Sequence, residues 1–482
     1  MVCIRRRRVD FDAWGESMSR ECARVIAVIG AGCSGAMTLV HLLENLPDEP
    51  VRILLIDPEP TLGRGVAYAR RHYPYLVNAP AATMSIRSQD PLDFVRFLQE
   101  ADATASVADF PTREQFGDYV EARASRAIEF ARSRSSVDRI YQAAIRLDRW
   151  PDQDGWKITL ANGEFHHADT VVLALGNPAP TPLSHLATGT TCDGISDPWN
   201  VDHLAPDARS ILVVGTGLTM VDAVCALLAA SPDRQIHALS RHGLMPLNQT
   251  DTRPAGLDDG RLAEVLKDCI SLRRLVREVI RAGRRMNLAG GDWRRVIISV
   301  RQQASSIWGR FSVDDRRRFL RHVRPYWDIH RHRFPAPVWS TVQTLLASGQ
   351  LTLHAGRLEC IERAEGRFQA RWRTRVSGET TEVTVDRVFN CTGPDYHIAR
   401  SKSPLWRHLL RESLISPDAL HLGLQTGALG EVLNPEGAAV PNLYYVGPLR
   451  RAQCWEATAV AELRVHAEAL ARHLARPDVG RQ

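Results

Sequence analysis

Two glycine-rich turns, each between a short apolar run and a stretch of helical character, constrain this 482-residue chain more than any other feature. The first, GAGCSG at 30–35, follows the apolar run 25–29, and the second, GTG at 215–217, follows the run 211–214. Glycine permits a tight reversal from strand to helix and lets backbone N–H groups approach a pyrophosphate, whose charge the helix N-terminus stabilises. The pair predicts an α/β fold with two Rossmann-like dinucleotide-binding domains.

The residues after each turn predict which nucleotide binds there. Asp57 ends the apolar run 51–56, at the distance where an acidic side chain holds a ribose 2′-hydroxyl. After the second turn, the corresponding strand ends at Ser240 and runs into Arg241. A cation in this position suits a 2′-phosphate, which predicts NADPH rather than NADH. The alternative at both turns is a glycine turn that serves only chain reversal.

Composition indicates a globular protein without a membrane span. Hydrophobic residues make up 44% of the chain and charged residues 24%. No apolar run approaches the roughly 18 residues that cross a bilayer. Four arginines at 5–8 precede no apolar signal segment, so we expect residues 1–21 to form a disordered basic tail. The length predicts two or three domains.

The nine cysteines are scattered, without a C-x-x-C pair or a metal-type spacing. This pattern favours a reducing, cytoplasmic location and argues against a flavin disulfide reductase, which needs a redox dithiol beside its ring. His330 and His332 invite a metal interpretation, but no third ligand is apparent. We therefore predict no metal site.

Basic residues are concentrated in one segment. Residues 261–335 hold nineteen Lys and Arg against seven Asp and Glu, although the whole chain has a formal net charge of only +6. Such a field attracts anions, which include the phosphates of NADPH and an acidic substrate. A solvated, arginine-rich helix face is the alternative. Because no nucleic-acid-binding motif is present, no nucleic acid partner is predicted.

The order of strand-like and helix-like segments predicts discontinuous domains. Residues 22–205 with 388–482 are expected to form the FAD-binding domain, and 206–246 with 341–387 the NADPH-binding domain. Residues 247–340 are expected to form a basic helical insert that caps the cleft between them. Two further apolar strands end near Gly176 and Gly393, where the backbone can pass close to a bound group.

Taken together, these segments resemble the bacterial FAD/NAD(P)-binding protein family of two-domain flavoproteins, relatives of the flavin N-monooxygenases that hydroxylate ornithine and lysine. The matching segments, which span about 25–465, are 30–35, 63–68, 76–80, 215–222, 240–244, 318–322, 330–333, 390–393 and 455–459. The resemblance implies FAD in the first site and NAD(P)H in the second. It also implies a monooxygenase that uses O2 to oxygenate a small molecule.

One departure concerns the last strand. Flavoproteins of this broad class often place Gly-Asp there, with the Asp on the ribityl chain, whereas this chain has Gly447 followed by Pro448. We expect a last helix to begin near Trp455 and Glu456, so that its backbone donors serve the flavin N1/O2 edge.

The candidate residues follow from these motifs. The candidates for cofactor binding are Gly30, Gly32, Ser34, Gly35, Asp57, Arg64, Asn78, Gly176, Gly215, Gly217, Thr219, Ser240, Arg241, Gly393, Gly447, Glu456 and Thr458. Arg64 is expected to meet the FAD pyrophosphate or lie in solvent, and Asn78 to bind flavin or nicotinamide or to cap its loop. Trp327, His330 and Arg331 are candidates for substrate anchoring or for packing of the insert. No catalytic residue is assigned.

Three alternatives to a monooxygenase stay open. The protein could pass electrons from NAD(P)H to an organic acceptor without oxygen insertion, or act as a dehydrogenase in the opposite direction. It could also bind FAD as a non-enzymatic redox sensor.

Overall fold

The computed structural model describes residues 24–46, 50–131, 135–150, 154–185, 194–199, 201, 207–249 and 260–476. The expected tail at 1–21 and the expected boundary at 205/206 lie outside these ranges. The strands are β1 (Arg24–Ile29), β2 (Val51–Ile56), β3 (Ser135–Ile140), β4 (Ala144–Arg149), β5 (Trp156–Leu160), β6 (Phe165–Ala168), β7 (Thr170–Leu173), β8 (Ile195–Ser196), β9 (Ser210–Val214), β10 (Gln235–Ser240), β11 (Leu351–Ala364), β12 (Arg367–Thr374), β13 (Thr380–Val385), β14 (Arg387–Asn390), β15 (Glu431–Leu433) and β16 (Ala439–Tyr445).

The helices alternate with the strands at both ends of the chain and cluster in its middle. The α-helices are α1 (Cys33–Asn45), α2 (Asp93–Gln99), α3 (Arg113–Ala131), α4 (Leu218–Ala230), α5 (Gly260–Asp268), α6 (Leu272–Leu288), α7 (Arg294–Gln302), α8 (Ala304–Arg310), α9 (Val313–Arg318), α10 (Arg324–Arg331), α11 (Ala336–Ala347), α12 (Pro404–Arg411) and α13 (Val460–Leu474). A π-helical turn, Phe319–Val323, joins α9 to α10. Among the described residues, no helix combines the length and apolar character that crossing a membrane requires.

The first sheet has the strand order β15-β16-β7-β1-β2-β3, with parallel pairing except between β15 and β16. Strand β1 is buried on both faces, which explains its unbroken apolar sequence. Ile26 and Val28 join the core beneath α1, α3 and α13, whereas Ala27 and Ile29 pack on the other side. That second side is covered by the small antiparallel sheet of β4, β5 and β6.

The second sheet has the order β13-β12-β11-β10-β9-β14-β8, in which β11, β10, β9, β14 and β8 pair in parallel. The expected domain boundaries differ from this arrangement at two strands. Strands β8 and β14 belong to this sheet, although 22–205 and 388–482 were expected to belong wholly to the first domain. The reason is that Val388 and Phe389 are fully buried beside Leu212 and Val213 of β9. The chain rejoins the first sheet only at β15 and β16.

The helical segment, α5 to α10, has its own apolar core. Leu272, Leu275, Trp308 and Phe319 pack together with Trp455 from the C-terminal part of the chain. The arginines of α6 lie on its exposed side, as expected for a solvated face; these are Arg273, Arg274, Arg277, Arg281, Arg284 and Arg285. Helix α11 begins within the range expected for the insert, but it packs on the second sheet through Val342 and Leu345.

Candidate functional site

The first glycine of each turn lies against the end of a neighbouring parallel strand. Gly30 has a φ of +107°, and a Cβ placed on it would lie 2.4 Å from the Ala174 carbonyl oxygen beyond β7. Gly215 has a φ of +110°, and its Cβ would lie 2.2 Å from the Cys391 carbonyl oxygen beyond β14. Both the backbone conformation and the contact exclude a side chain. The two turns therefore have the same construction in the two sheets.

Gly176 and Gly393, where the backbone was expected to pass close to a bound group, follow Ala174 and Cys391 by two residues. Gly176 and Gly393 both have positive φ, +65° and +81°, but no protein atom lies within 4 Å of a Cβ built on either. Their positive φ values turn the chain after each strand, and space beside each glycine is open. Gly447, after β16, has a φ of +146°, and its Cβ would meet the Tyr445 hydroxyl at 2.7 Å. Gly447 is therefore required by packing within the protein.

The later glycines leave the helix N-termini open to a ligand. A Cβ on Gly35 would lie 1.8 Å from the Gly30 carbonyl oxygen, so this glycine lets α1 close on its turn. Gly32 and Gly217 are the N-cap residues of α1 and α4, and within the described structure no side chain caps either helix. No protein atom lies within 4 Å of a Cβ on Gly217. The helix N-termini without a side-chain cap fit a pyrophosphate at each turn, with open space beside Gly217 and the Gly65 backbone 3.5 Å from a Cβ on Gly32.

Asp57 is held next to the first turn by the backbone. Its carboxylate accepts hydrogen bonds from the N–H groups of Ala31, at 2.6 Å, and Glu59, at 2.9 Å. A carboxylate has about four acceptor sites, so these two bonds leave capacity for a ribose hydroxyl. Asp57 thus orders the turn and remains suited to the predicted contact.

The second turn is fastened to the end of β10 by hydroxyl groups. The Thr216 hydroxyl donates to Ser240 Oγ at 2.8 Å, and the Gly243 N–H donates to the same oxygen at 3.0 Å. Thr216 was not among the predicted residues, because its position between two glycines carries no distinctive signal. Ser240 therefore positions the turn, and Thr219 lies in the first turn of α4.

Two arginines meet beside this turn. Arg241 is exposed, and Arg375 Nη1 donates to the Arg241 carbonyl oxygen at 3.4 Å. The pKa of His242 is lowered by burial and by the charges of both arginines. Arg375 follows β12 and is distant in sequence, so no local pattern could identify it. The cationic position predicted from Arg241 contains two guanidinium groups.

Arg64 does not lie in solvent, and its contact with the FAD pyrophosphate stays a prediction. It is 3% exposed, and its guanidinium binds Asp118 and, at 2.7 Å, Glu121 of α3. Burial lowers its pKa, but these two carboxylates outweigh burial and raise it. The charge of Arg64 is thus compensated by two carboxylates, while its Nη1 is buried without a hydrogen-bond partner among the described residues.

A cleft of about 420 Å³ lies between the loop at 78–84, α7, the segment 331–333 and the start of α13. Asn78, Arg331 and Thr458 line it, so three predicted residues come together there. The predicted start of the last helix near Trp455 is wrong, because residues 455–458 form turns and α13 begins at Val460 with Ala459 as its N-cap. The positive end of α13 therefore lies at the cleft.

Glu456 contributes to an ion-pair cluster. It is 4% exposed, Arg331 Nε donates to its Oε2 at 2.7 Å, and Arg301 Nε lies 3.6 Å away. Burial would raise the pKa of Glu456, but the charges of Arg331, His332 and Arg301 lower it. Its carboxylate pairs with Arg331 and Arg301, and a cofactor contact by Glu456 stays a prediction.

The three predicted substrate residues do not share one site. Arg331 lines the cleft, whereas Trp327 and His330 line a separate cavity of about 710 Å³ within the helical segment. His330 Nδ1 lies 2.7 Å from the Tyr326 carbonyl oxygen. The His330 ring contacts the Trp293 ring edge-on, with 5.0 Å between the ring centroids. Across the described residues, no three His, Cys, Asp or Glu side chains form a group that could hold a metal ion.

Comparison with known proteins agrees with this geometry. Residues 27–178 match the model of a family described as FAD-NAD(P)-binding. Ornithine N-hydroxylase from Kutzneria sp. 744, solved with reduced FAD, NADP+ and L-ornithine, superimposes with a TM-score of 0.62 at 14% identity, covering 94% of this chain and 98% of that chain. Among curated proteins, no sequence matches the chain.

Two further solved structures have the same fold. Ornithine hydroxylase from Pseudomonas aeruginosa gives a TM-score of 0.60 at 16% identity, covering 94% of this chain and 98% of its own. L-lysine 6-monooxygenase from Pseudomonas syringae gives 0.60 at 13% identity, covering 94% and 99%. The predicted α/β fold and the predicted resemblance are confirmed. Residues 27–178 thus match the FAD-NAD(P)-binding family model, in a chain that has the fold of these ornithine and lysine hydroxylating enzymes.

Proposed function

We propose that the protein is an FAD-dependent oxidoreductase that is reduced by NADPH and uses O2 to oxygenate a small molecule. The observation that carries this proposal is the matched pair of turns, in which Gly30 and Gly215 have the same backbone conformation and the same contact with a neighbouring strand. Uncapped helix N-termini beside both turns suit two pyrophosphates. The shared fold with enzymes that hydroxylate ornithine and lysine supports the oxygenase class.

Bound FAD would supply hydride acceptance and oxygen chemistry, and the protein would supply binding and orientation. The N-terminus of α1 would hold the FAD pyrophosphate, and Asp57 would accept a ribose hydroxyl. The positive end of α13, near Ala459, lies at the cleft and would stabilise negative charge on the flavin N1/O2 edge. These roles need positioned backbone donors and no catalytic acid or base.

The second turn would hold NADPH. The N-terminus of α4 would take the pyrophosphate, and the guanidinium groups of Arg241 and Arg375 would take the 2′-phosphate, since the charges of both act on His242 after β10. This arrangement supports the choice of NADPH over NADH.

The fate of oxygen tests the oxygenase assignment. The FAD-loaded protein is supplied with NADPH and air, and O2 uptake, H2O2 release and NADPH oxidation are measured with and without added candidate substrates. Oxygenation predicts that a substrate increases NADPH oxidation while the fraction of O2 released as H2O2 falls. Quantitative H2O2 release with every substrate, together with rapid reduction of a quinone, would instead indicate electron transfer without oxygen insertion.

A further inference from the structure

The larger cavity of the helical segment is an apolar chamber that the cofactor sites do not use. Its volume of about 710 Å³ lies within the range of small-molecule pockets, roughly 300–1,000 Å³. Leu272, Val296, Trp308 and Phe319 are among its walls. Among the described residues that line it, there is no Asp, Glu, Lys or Arg. His322 and His330 are its basic groups, so the described lining offers no carboxylate to pair with the ammonium groups of an amino acid or diamine.

This cavity adjoins the cleft along a common wall. Ile297 of α7 lines both spaces. His330 lines the cavity, and the next residue, Arg331, lines the cleft. In the same way, Leu247 belongs to the cavity and Gln249 to the cleft. A molecule in the cavity is therefore separated from the cleft by about one layer of side chains.

The Trp327 indole lines the cavity, but its N–H is buried out of reach of a molecule there. Ile280 and Tyr326, which are 50% and 49% exposed, lie in the same lining and give the cavity an opening to solvent.

We propose that this cavity binds the substrate, and that the substrate is a largely apolar molecule rather than an amino acid or diamine. Naming the ligand a substrate rests on the proposed function, whereas the binding itself does not. The apolar body lies among the walls of the cavity, and the end to be oxygenated faces the wall shared with the cleft.

Gly283 provides a test that preserves folding. It lies within α6 and lines the cavity, and no protein atom lies within 4 Å of a Cβ built on it. Replacing a helical glycine also removes its propensity penalty. Gly283→Trp should therefore fold and fill the cavity. Gly309→Trp is the matched control, because Gly309 is an exposed glycine of α8, has equally open space and does not line the cavity.

The probe is N-phenyl-1-naphthylamine, an uncharged apolar fluorophore, added to the oxidised, FAD-loaded protein without NADPH. We expect saturable binding whose Kd rises at least about tenfold in Gly283→Trp and changes less than about twofold in Gly309→Trp. L-Ornithine and L-lysine should not displace the probe. Absence of saturable binding, equal binding by Gly283→Trp, or displacement by either amino acid would overturn the inference.

Two further measurements separate this inference from others. Native mass is determined for each variant, because a change of oligomeric state in Gly283→Trp without loss of probe binding would make the cavity an interface between copies and would overturn the inference. Flavin reduction by NADPH is measured independently. Its failure would refute the proposed function while probe binding that depends on Gly283 would still stand.

Discussion

Arg331 and Glu456 form a partly buried ion pair in which Arg331 Nε donates to Glu456 Oε2 at 2.7 Å. Arg331 ends α10 of the helical segment, and Glu456 lies in the turn before α13, so the pair fastens the helical segment to the C-terminal part of the chain. Arg331 also lines the cleft proposed to hold the flavin ring. The strength of this one contact therefore affects both folding and the shape of the cleft.

Glu456→Gln should lower the free energy of unfolding by about 2–3 kcal/mol, because removing the buried carboxylate leaves the half-buried Arg331 without its counter-charge. Urea denaturation of the purified variant measures the loss. Glu462→Gln is the control, since Glu462 also pairs with an arginine, Arg301 at 2.8 Å, but its side chain is 28% exposed. The control should lose less than about 1 kcal/mol. Equal losses in the two variants would contradict the account of Glu456.

The pair of Arg113 and Asp222 predicts a pH dependence. Arg113 Nη2 lies 2.6 Å from Asp222 Oδ2, which joins α3 of the first half to α4 of the second. Burial raises the pKa of Asp222 from 3.8 to about 6, with Arg113 opposing the change. The folded state thus holds this proton more tightly than the unfolded state, and the resulting stability is complete below pH 3.8 and lost as the pH rises through about 6.

Asp222→Asn replaces the titrating carboxyl group with an amide that does not titrate. The unfolding free energy of the wild type minus that of the variant should therefore fall between pH 4 and about 6 and then level off. Urea titrations of both proteins at a series of pH values give this difference. Parallel stability curves across the interval would show that Asp222 does not titrate as described.

Arg241→Ala should raise the KM for NADPH about tenfold or more and leave that for NADH almost unchanged, because a charge-assisted phosphate contact contributes about 1.5–3 kcal/mol. Arg375→Ala should have the same selectivity. Arg373→Ala serves as the control, since Arg373 is an exposed arginine of β12 that pairs with Glu359 at 3.0 Å. Equal loss with both nucleotides would refute the 2′-phosphate assignment.

Glycines 35 and 217 should respond to alanine in different ways. Gly35→Ala places a Cβ 1.8 Å from a backbone oxygen, so we expect loss of FAD retention and of folding yield. Gly217→Ala meets no protein atom within 4 Å, so the variant should fold and retain FAD while binding NADPH more weakly. Flavin content and NADPH titration distinguish the two. Normal NADPH affinity in Gly217→Ala would show that no nucleotide backbone approaches this turn.

Local chemistry made part of the site predictable from the sequence. The glycine turns and Asp57 could be predicted, because a tight turn, a helix N-terminus and an acid after the next strand occur within about 30 residues. The sheet that holds β14 could not be predicted, since 387–391 and 170–175 are both apolar strands followed by glycine. The two strands differ only in their partners, because β14 pairs with β9 of the second sheet and β7 pairs with β1 of the first.

Contacts between distant segments were also beyond sequence analysis. Arg331 and Glu456 are 125 residues apart, and nothing local marks them as partners. Trp327 and Arg331 are close in sequence, yet they line different spaces because Arg331 lies at the end of α10. The position of Arg375 depends on how the β12–β13 hairpin is placed against β10.

The central claim is that the first turn holds FAD and the second holds the NADPH that reduces it. Anaerobic mixing of the FAD-reconstituted protein with NADPH tests this most directly, with the visible absorbance of the flavin as the signal. The account predicts complete bleaching, faster with NADPH than with NADH and slowed in Gly217→Ala. A protein that stays colourless after reconstitution, or a bound flavin that NADPH leaves oxidised, would contradict it.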